Sequence, residues 1–318
     1  MVIGRNEGVR LEMCLASVVA TAVPVVYVDS GSSDGSVAMA RSLGVLVVEL
    51  DMALPFTAAR ARNDGATRLQ KLAPGLDYIQ FVDGDCEVVK DWIGQAVQFL
   101  DAQPQVAVVY GRRRERHPEH SIYNLMCDIE WNRPLGQAEF CGGDALMRAD
   151  AFAQVGGYRS SLIAGEEPEL CVRLRAIGWK IWRIDAEMVL HDAAMVRFSQ
   201  WWRRSMRSGH AFAEGASLHG APPERFSVRS TQRNWFWGLG LPIFIALMTM
   251  MYGAWGLALT LVYPLQVIRL ALRDRKSLPA PWWHAFFLVL GRFSEMLGQS
   301  KFMYSRIRGQ TTRLIEYK

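Results

Sequence analysis

The sequence lacks the short motifs that define several common functional classes. No cysteine and histidine spacing typical of a zinc site occurs, and no aromatic-basic pattern typical of a nucleic-acid module. The glycine-containing stretches GRNEG and DSGSSDG fit neither the G-x-G-x-x-G dinucleotide fingerprint nor the phosphate loop that ends in Gly-Lys-Ser/Thr. We therefore expect no nucleic-acid partner, and we expect any phosphate ligand to be held through a metal bound by carboxylates.

Cysteine is scarce, and its number is odd. The five residues are Cys14, Cys86, Cys127, Cys141 and Cys171. Their irregular spacing and apolar surroundings predict free, buried thiols in a reducing compartment. The stretch MVIGRNEGVR contains no long apolar segment, so we expect no secretion signal.

Charge is unevenly distributed along the 318 residues, which leave room for one large or two ordinary domains. The chain has a formal net charge of +5, a sequence pI of about 9.0 and a mean hydropathy of +0.05. Arginine and tryptophan are concentrated in the second half, and this composition suits an anionic membrane surface.

Strand and helix patterns alternate through residues 1–190. Apolar, β-branched runs predict strands at residues 24–29, 45–50, 78–82 and 106–111. Helical patterns predict helices at residues 34–44, 57–72 and 91–102. Continuous apolar strands separated by helices predict an α/β fold with a mainly parallel sheet covered on both faces. Ligands of such sheets bind at the carboxyl ends of the strands.

Two of the predicted strands end in carboxylates. Asp29 ends one strand, and Asp83-Gly84-Asp85 ends another. Because side chains alternate along a strand, Asp83 and Asp85 can point the same way, and they would repel each other unless a cation lay between them. A polar turn with Gly84 at its tip is the alternative, but two strands that deliver carboxylates to one edge favour a binding site.

A series of segments in the right order makes residues 2–191 resemble the inverting family 2 glycosyltransferases of the GT-A fold. The segments are VIGRNEGVRLEMCLASV, VVYVDSGSSDGS, PFTAARARNDG, FVDGDCEV, GGDALMRADAFAQVGGY and GEEPELCVRLRAIGW. The resemblance implies a GT-A nucleotide-sugar-binding domain. The family's first strand usually carries a few more residues at its start, so we expect either an upstream start or a shortened first strand.

The resemblance also implies a nucleotide-sugar and metal site. Asp29 would bind the base or ribose of the donor, and Asp83 would lie near the ribose and the metal. Asp85 would be the main carboxylate on a Mg²⁺ or Mn²⁺ ion. His191, in MVLHD, would be a further metal ligand, with an ordinary capping histidine as the alternative.

Three further residues are assigned to the nucleotide pocket by the same resemblance. They are Arg62, Asn63 and Gly84; a surface arginine and a local cap are equally weighted alternatives for the first two. Specificity is expected to lie in residues 112–142. Within this region the basic segment GRRRERHPEH fits either a grip on an anionic acceptor or a solvated loop.

The segment GEEPELCVRLRAIGW predicts a helix with an acidic start. Its apolar stripe is Leu170, Leu174 and Ile177. The resemblance makes Glu167 the base that takes the proton from the acceptor hydroxyl. The family usually has Glu-Asp where this chain has Glu166-Glu167, so Glu166 is the alternative base. A purely structural explanation is that acidic residues complement the helix dipole.

Residues 235–272 form an apolar stretch with Arg269 as its only charge. A continuous helix of this length would be roughly 57 Å long, nearly twice the ~30 Å hydrocarbon core of a bilayer. Two short crossings with a turn near residues 253–256 fit this length better. Arginines on both flanks predict that both ends lie in the cytoplasm. A re-entrant or interfacial hairpin is the alternative.

The segments on either side have amphipathic patterns. A Trp-Trp pair beside arginines predicts an interfacial helix near the start of residues 199–234. Gln200 and Arg203 match part of the Q-x-x-R-W element of processive synthases, but Arg204 replaces its tryptophan, so the sequence does not support processive synthesis. In residues 273–318, apolar positions at helical spacing predict an amphipathic helix. These positions are Phe286, Leu290, Phe293 and Leu297.

These patterns divide the chain into a GT-A domain (1–198), an interfacial linker (199–234), a membrane hairpin (235–272) and an amphipathic helix with its tail (273–318). The resemblance implies a hexosyltransferase of the bacterial inner membrane with a cytoplasmic catalytic domain. Its expected partners are a nucleotide-sugar donor, a lipid-linked or glycan acceptor and the membrane. A catalytically degenerate scaffold for another glycosyltransferase is the alternative. A nucleotidyltransferase would need a better phosphate loop than GRNEG.

Overall fold

The computed structural model describes residues 1–309, which form two compact units: Met1–Ala194, and a second unit that begins at Met195. Residues 310–318, at the end of the predicted helix-and-tail segment 273–318, lie outside the described residues. The strands of the first unit are β1 Val2–Gly4, β2 Val26–Asp29, β3 Leu46–Glu49, β4 Tyr78–Asp83, β5 Cys86–Val88, β6 Val106–Glu115, β7 Gly136–Ala138, β8 Ala145–Arg148 and β9 Lys180–His191. Its helices are α1 Val9–Val19, α2 Ser36–Ser42, α3 Ala58–Leu72, α4 Trp92–Ala102, α5 Ile122–Trp131, α6 Ala149–Gln154 and α7 Glu166–Ala176.

The strands form one mixed sheet in the order β3-β2-β1-β4-β8-β6-β9-β5, with β7 paired to β9. The four strands from β3 to β4 are parallel, as their continuous apolar sequences predict. Strand β8 runs antiparallel to both β4 and β6, whereas β9 runs parallel to β6. The predicted α/β fold class is confirmed, and all five cysteines are free and buried as predicted.

The carboxyl ends of β2 and β4 lie at the same edge of the sheet. Strand β1 lies between them and pairs Gly4 with Asp29 and Ile3 with Asp83. Two strand spacings therefore separate the aspartates, about 10 Å. At Gly84 the chain passes close to β1, since its N–H donates to the Ile3 carbonyl at 2.7 Å. An added Cβ would lie 2.9 Å from that same oxygen, so only glycine fits here.

Two local predictions for the first unit differ from the structure. The strand predicted at 106–111 continues to Glu115, because the basic segment that follows pairs with β9, with register irregularities on either side of Arg112. Arg112 and Arg113 therefore belong to a buried strand rather than to a solvated loop. Ile177, the last residue of the predicted apolar stripe, is not packed with the other two but is 55% exposed, because α7 ends at Ala176 and the chain turns there.

The second unit is helical. Its segments are α8 Phe198–His219, α9 Val228–Trp235, a π-helical turn Phe236–Gly240, α10 Leu241–Tyr252, α11 Ala254–Leu257, a 3₁₀ turn Ala258–Leu261, α12 Val262–Asp274 and α13 Pro281–Ile307. Two continuous helical stretches, Val228–Tyr252 and Ala254–Asp274, are long and apolar enough to cross a membrane. They meet at Gly253, whose φ of 58° provides the turn expected near residues 253–256.

Helices α8 and α13 pack closely through glycines. A Cβ at Gly209 would lie 2.0 Å from the Glu295 carbonyl oxygen, and a Cβ at Gly298 would lie 1.9 Å from that of Met206. This small-residue face of α13 is its buried face, whereas Phe286, in the predicted apolar stripe, is 42% exposed. The stripe therefore does not supply the main α8 contact, because glycines allow a closer approach of the two backbones.

The start of α8 gives Gln200 a structural role. Its Oε1 accepts hydrogen bonds from the backbone N–H groups of Val196 and Arg197 at 3.0 and 2.9 Å. Gln200 therefore caps the helix N-terminus, and this cap is a structural role for the residue that matches the Q-x-x-R-W element.

Candidate active site

Arg62 of α3 is buried at the centre of a cluster of carboxylates. Its Nη2 lies 2.8 Å from Oδ1 of Asp83, and its Nη1 lies 2.9 Å from Oε1 of both Glu166 and Glu167. The guanidinium also lies over the ring of Tyr158, 5.5 Å from its centroid. Arg62 is only 2% exposed, so these ion pairs form in a desolvated environment where they orient each other strongly. A resident arginine thus neutralises Asp83.

A second arginine reaches Asp83 from β6. Arg113 Nη2 lies 3.5 Å from Asp83 Oδ2, and Arg113 Nη1 lies 3.2 Å from Asp144 Oδ2. The other Asp144 oxygen accepts the backbone N–H of Asp83 at 2.9 Å. Burial acts to raise the pKa of Asp83, but Arg62 and Arg113 outweigh it and hold that pKa below its usual value. Burial raises the pKa of Asp144.

Asp85 and His191 form a second cluster at the same edge. Because β5 pairs with β9, Cys86 lies opposite His191, and His191 Nε2 lies 3.3 Å from Asp85 Oδ2. The other ring nitrogen, Nδ1, lies 3.4 Å from Oε2 of buried Glu115. The imidazole also packs edge-on against Trp131, with 4.6 Å between ring centroids.

This second cluster fits a divalent cation. Ligand atoms of Asp85, Cys86 and His191 all lie within 4.8 Å of one another. Burial raises the pKa of the Cys86 thiol, which donates toward Asp144 at 3.3 Å, so the carboxylate and the imidazole are the better ligands. The contact of His191 Nδ1 with Glu115 is the carboxylate–histidine arrangement that fixes a metal-ligating imidazole in its orientation.

The glutamates in the first turn of α7 have two different roles. Glu169 is taken up by structural pairs with Arg173 at 2.7 Å and Arg159 at 3.3 Å. Glu166 and Glu167 share Arg62 instead. Burial and the neighbouring Glu166 raise the pKa of Glu167 to about 7, although Arg62 acts in the opposite direction.

Asp29 and Asn63 are engaged with their own surroundings. Asp29 Oδ1 accepts from the Tyr27 hydroxyl at 2.8 Å, and its Oδ2 accepts the backbone N–H groups of Gly31 and Ser32. Asn63 exchanges two hydrogen bonds with the backbone of Tyr158 and so holds the loop after α6. The predicted contacts of Asp29 and Asn63 with a nucleotide stay predictions.

Sequence reasoning missed three residues of the site: Arg113, Glu115 and Asp144. The first two lie in the basic segment that also fitted a solvated loop, and nothing local distinguishes them from their neighbours. Asp144 lies in the GGD segment used for the family resemblance, which was the available signal. The adjacent Gly143 is needed for space, since its Cβ would lie 2.5 Å from Arg62 Nη2 and 2.6 Å from Asp83 Oδ2.

A family model and a curated protein both match this chain in sequence. Residues 1–156 match the family model described as glycosyl transferase family 2. The succinoglycan biosynthesis protein ExoA of Rhizobium meliloti (strain 1021) is 27% identical over 206 residues, which cover 58% of this chain and 60% of ExoA. The matched region is thus less than two thirds of the length of that relative.

Solved structures share the fold at low identity. The mannosyltransferase PcManGT from Pyrobaculum calidifontis, in complex with GDP-Man and Mn²⁺, superposes with a TM-score of 0.63 and 16% identity over 94% of this chain and 86% of that one. S. aureus TarS 1–349 superposes with a TM-score of 0.53 and 12% identity over 97% and 91%. The family match covers most of the first unit, and together with the fold shared with PcManGT it supports a family 2 glycosyltransferase domain of the GT-A fold there.

Proposed function

We propose that the chain is a metal-dependent, inverting glycosyltransferase that moves a hexose from a nucleotide-diphosphate donor to an acceptor hydroxyl. The observation that carries this proposal is the position of Arg62. Its guanidinium contacts both Glu167 and Asp83, and Asp83 lies two residues before Asp85, which contacts His191. A proton acceptor and a cation site thus belong to one connected cluster of side chains. Transfer that displaces a diphosphate uses both.

In the proposed reaction, Glu167 takes the proton of the acceptor hydroxyl while that oxygen attacks the anomeric carbon opposite the departing diphosphate. Arg62 holds the Glu167 carboxylate in place, and Glu166 is the alternative base on the same guanidinium. Asp29, about 10 Å from Asp83 along the sheet edge, is in reach of the ribose or base of the same donor.

Asp85 and His191 would hold the divalent cation. Such an ion, when bound, neutralises the charge of the diphosphate leaving group. An imidazole in the ligand set favours Mn²⁺ over Mg²⁺, because Mg²⁺ prefers oxygen ligands and keeps several waters. The PcManGT complex, which contains GDP-Man and Mn²⁺, supports this choice by analogy of fold.

We also propose that the acceptor is a lipid-linked glycan or a polysaccharide at the cytoplasmic face of a bacterial inner membrane. The two apolar helical stretches of the second unit support a membrane location. The similarity to a protein of succinoglycan biosynthesis supports a role in making a cell-surface polysaccharide.

A donor panel tests the proposal. Detergent-solubilised full chain would be incubated with nucleotide sugars and Mn²⁺, and nucleoside diphosphate release would be measured for Asp85→Ala and Glu167→Gln. Glu12→Gln is the matched control, because Glu12 also lies in the first turn of a helix but is exposed. Metal-dependent release from one donor, lost in both site variants and kept in the control, is expected. Donor binding without turnover would favour the scaffold alternative, and release of pyrophosphate would indicate a nucleotidyltransferase.

A further inference from the structure

An apolar groove lies between α12 and α13, outside the residues used by the proposed chemistry. Its volume is about 390 Å³, within the range of roughly 300–1,000 Å³ typical of small-molecule sites. Its walls include Tyr263, Val267, Ile268, Phe286, Leu290 and Phe293. The Tyr263 hydroxyl does not make the groove polar, because it donates to the Trp237 carbonyl at 2.9 Å.

The groove is open because α13 uses a different face for packing. Its small residues lie against α8, and this leaves the apolar stripe predicted from the sequence facing α12 and the exterior. Ile268 and Phe286, on opposite walls, are each 42% exposed. Since α12 belongs to an apolar stretch long enough to cross a membrane, the medium at this opening is expected to be hydrocarbon.

The two ends of the groove differ. At one end the rings of Tyr263 and Phe293 meet, with 5.5 Å between centroids. Toward the other end α12 and α13 are joined by a short connection, where Asp274 lies 3.7 Å from the His284 ring nitrogen Nδ1. The exposed side chains along and beyond this end include four cations and two tryptophans: Arg269, Arg273, Arg275, Lys276, Trp282 and Trp283.

These side chains create a surplus of positive charge. Asp274 is already paired with Arg273 at 2.6 Å, so the remaining cations are available to an anionic headgroup. Tryptophan at a membrane–water boundary commonly lies at headgroup level. The α12–α13 connection therefore has the composition of an interface that receives an anionic lipid, above a groove of a shape and polarity that suits its hydrocarbon chain.

We propose that this groove holds the hydrocarbon chain of the acceptor, with its phosphate against the cations of the α12–α13 connection. The inference rests on the proposed transferase function and deepens it, because it assigns the acceptor to one substrate class, a sugar carried on a long-chain lipid phosphate. A free glycan would leave the groove empty.

Photolabelling of the full chain tests the groove without requiring transfer. The chain, in phosphatidylcholine nanodiscs, would be exposed to octadecyl phosphate that carries a diazirine in its chain, and to the matched octadecanol. Val267→Trp and Leu290→Trp each fill the groove. Leu265→Trp is the control, because Leu265 lies on the same helix, is 61% exposed and is not part of the groove wall.

We expect labelling of α12 and α13 by the phosphate probe to fall about tenfold in the filled variants and to persist in the control. The alcohol should label weakly. The proposal would be overturned if folded variants with a filled groove were labelled as strongly as the wild type, or if the alcohol labelled as well as the phosphate. Full competition by phosphatidylglycerol would also overturn it, because it would indicate a site for bulk lipid. Transfer without groove-dependent labelling would leave the proposed function intact and reject the groove. Groove-dependent labelling without transfer would support lipid-phosphate binding and count against the proposed function.

Discussion

The Nη1 atom of Arg62 lies 2.9 Å from the Glu167 carboxylate and 2.9 Å from that of Glu166, so two neighbouring glutamates share one guanidinium nitrogen. The Glu167 side chain is the more accessible of the two, at 14% against 5%. Its burial beside Glu166 raises its pKa to about 7 despite the arginine. A base with a pKa near the working pH is efficient, so we propose Glu167 rather than Glu166 as the catalytic base.

The pH dependence of activity should report this ionisation. Since only the deprotonated carboxylate accepts a proton, kcat/KM should fall about tenfold for each pH unit below about 7 and level off above it. A profile of kcat/KM from pH 5 to 9 would measure this acidic limb, the fall in rate at low pH, in the wild type and in Glu12→Gln. A limb near the ordinary glutamate value of 4.5 would contradict the assignment.

The same ionisation should affect stability with a defined sign. Because the folded-state pKa of Glu167 is raised above 4.5, its contribution to stability is fully present below pH 4.5 and is lost as the pH rises through about 7. Glu167→Gln should therefore show a smaller change in apparent melting temperature across this window than the wild type. Parallel curves for the two proteins would argue against a raised pKa.

A pair of adjacent glycines offers a steric test of the site. A Cβ at Gly143 would collide with both partners of the Arg62–Asp83 ion pair, whereas a Cβ at Gly142 would meet only Arg113 at an ordinary 3.9 Å. Gly143→Ala should cost about 1–3 kcal/mol of stability and most of the activity, since overpacking displaces buried groups. Gly142→Ala should change little. If Gly143→Ala changed donor turnover and thermal unfolding as little as Gly142→Ala does, the Arg62–Asp83 ion pair would be dispensable.

Glu115 should tune metal affinity without contacting the ion. Glu115→Gln replaces one acceptor oxygen with a donor next to His191 and should weaken Mn²⁺ binding by about 10–100-fold, as loss of such a supporting partner commonly does. Glu187→Gln is the control, because Glu187 lies on the same strand as His191 but pairs with Arg114 near the surface. Titration of Mn²⁺ followed by electron paramagnetic resonance measures this directly. Unchanged affinity in Glu115→Gln would place the cation elsewhere.

The buried native cysteines make the hairpin topology measurable. All five are free and buried, so an impermeant maleimide should react mainly with an added cysteine. In intact spheroplasts we expect Ala254→Cys, at the turn after Gly253, to be labelled, and Ser277→Cys, beyond α12, to need permeabilisation. Labelling of neither site before permeabilisation would support the re-entrant alternative.

The elements predicted best are those that local sequence specifies. Helix α3 begins after Thr57, whose hydroxyl accepts the Arg60 N–H at 3.0 Å, as a threonine cap predicts. Strands β2 and β4 end at Asp29 and Asp83, where their apolar runs end. Each depends on a few consecutive residues, so one sequence was sufficient to predict it.

The contacts that complete the site are non-local. Arg113 reaches Asp83, thirty positions earlier in the chain, because only β8 separates β6 from β4, in an order that no local pattern specifies. The role of Glu115 likewise depends on pairing with the far end of β9. The cation between the two aspartates stays a prediction, and the structure adds what the sequence did not specify: a resident arginine lies beside Asp83, and His191 lies beside Asp85.

Strand β6 carries three consecutive arginines that serve three different parts of the protein. Arg112 pairs with Asp128, Arg113 reaches Asp83 and Asp144, and Arg114 pairs with Glu187 near the surface. In a written sequence they look interchangeable, and an alignment could slide by one position without penalty. The structure does not tolerate that slide, since a deletion between Arg113 and Glu115 would shift Glu115 away from His191, its partner on β9. Homologues should therefore vary freely in which basic residue stands on either side of Arg113. They should not vary in the number of residues between Arg113 and Glu115.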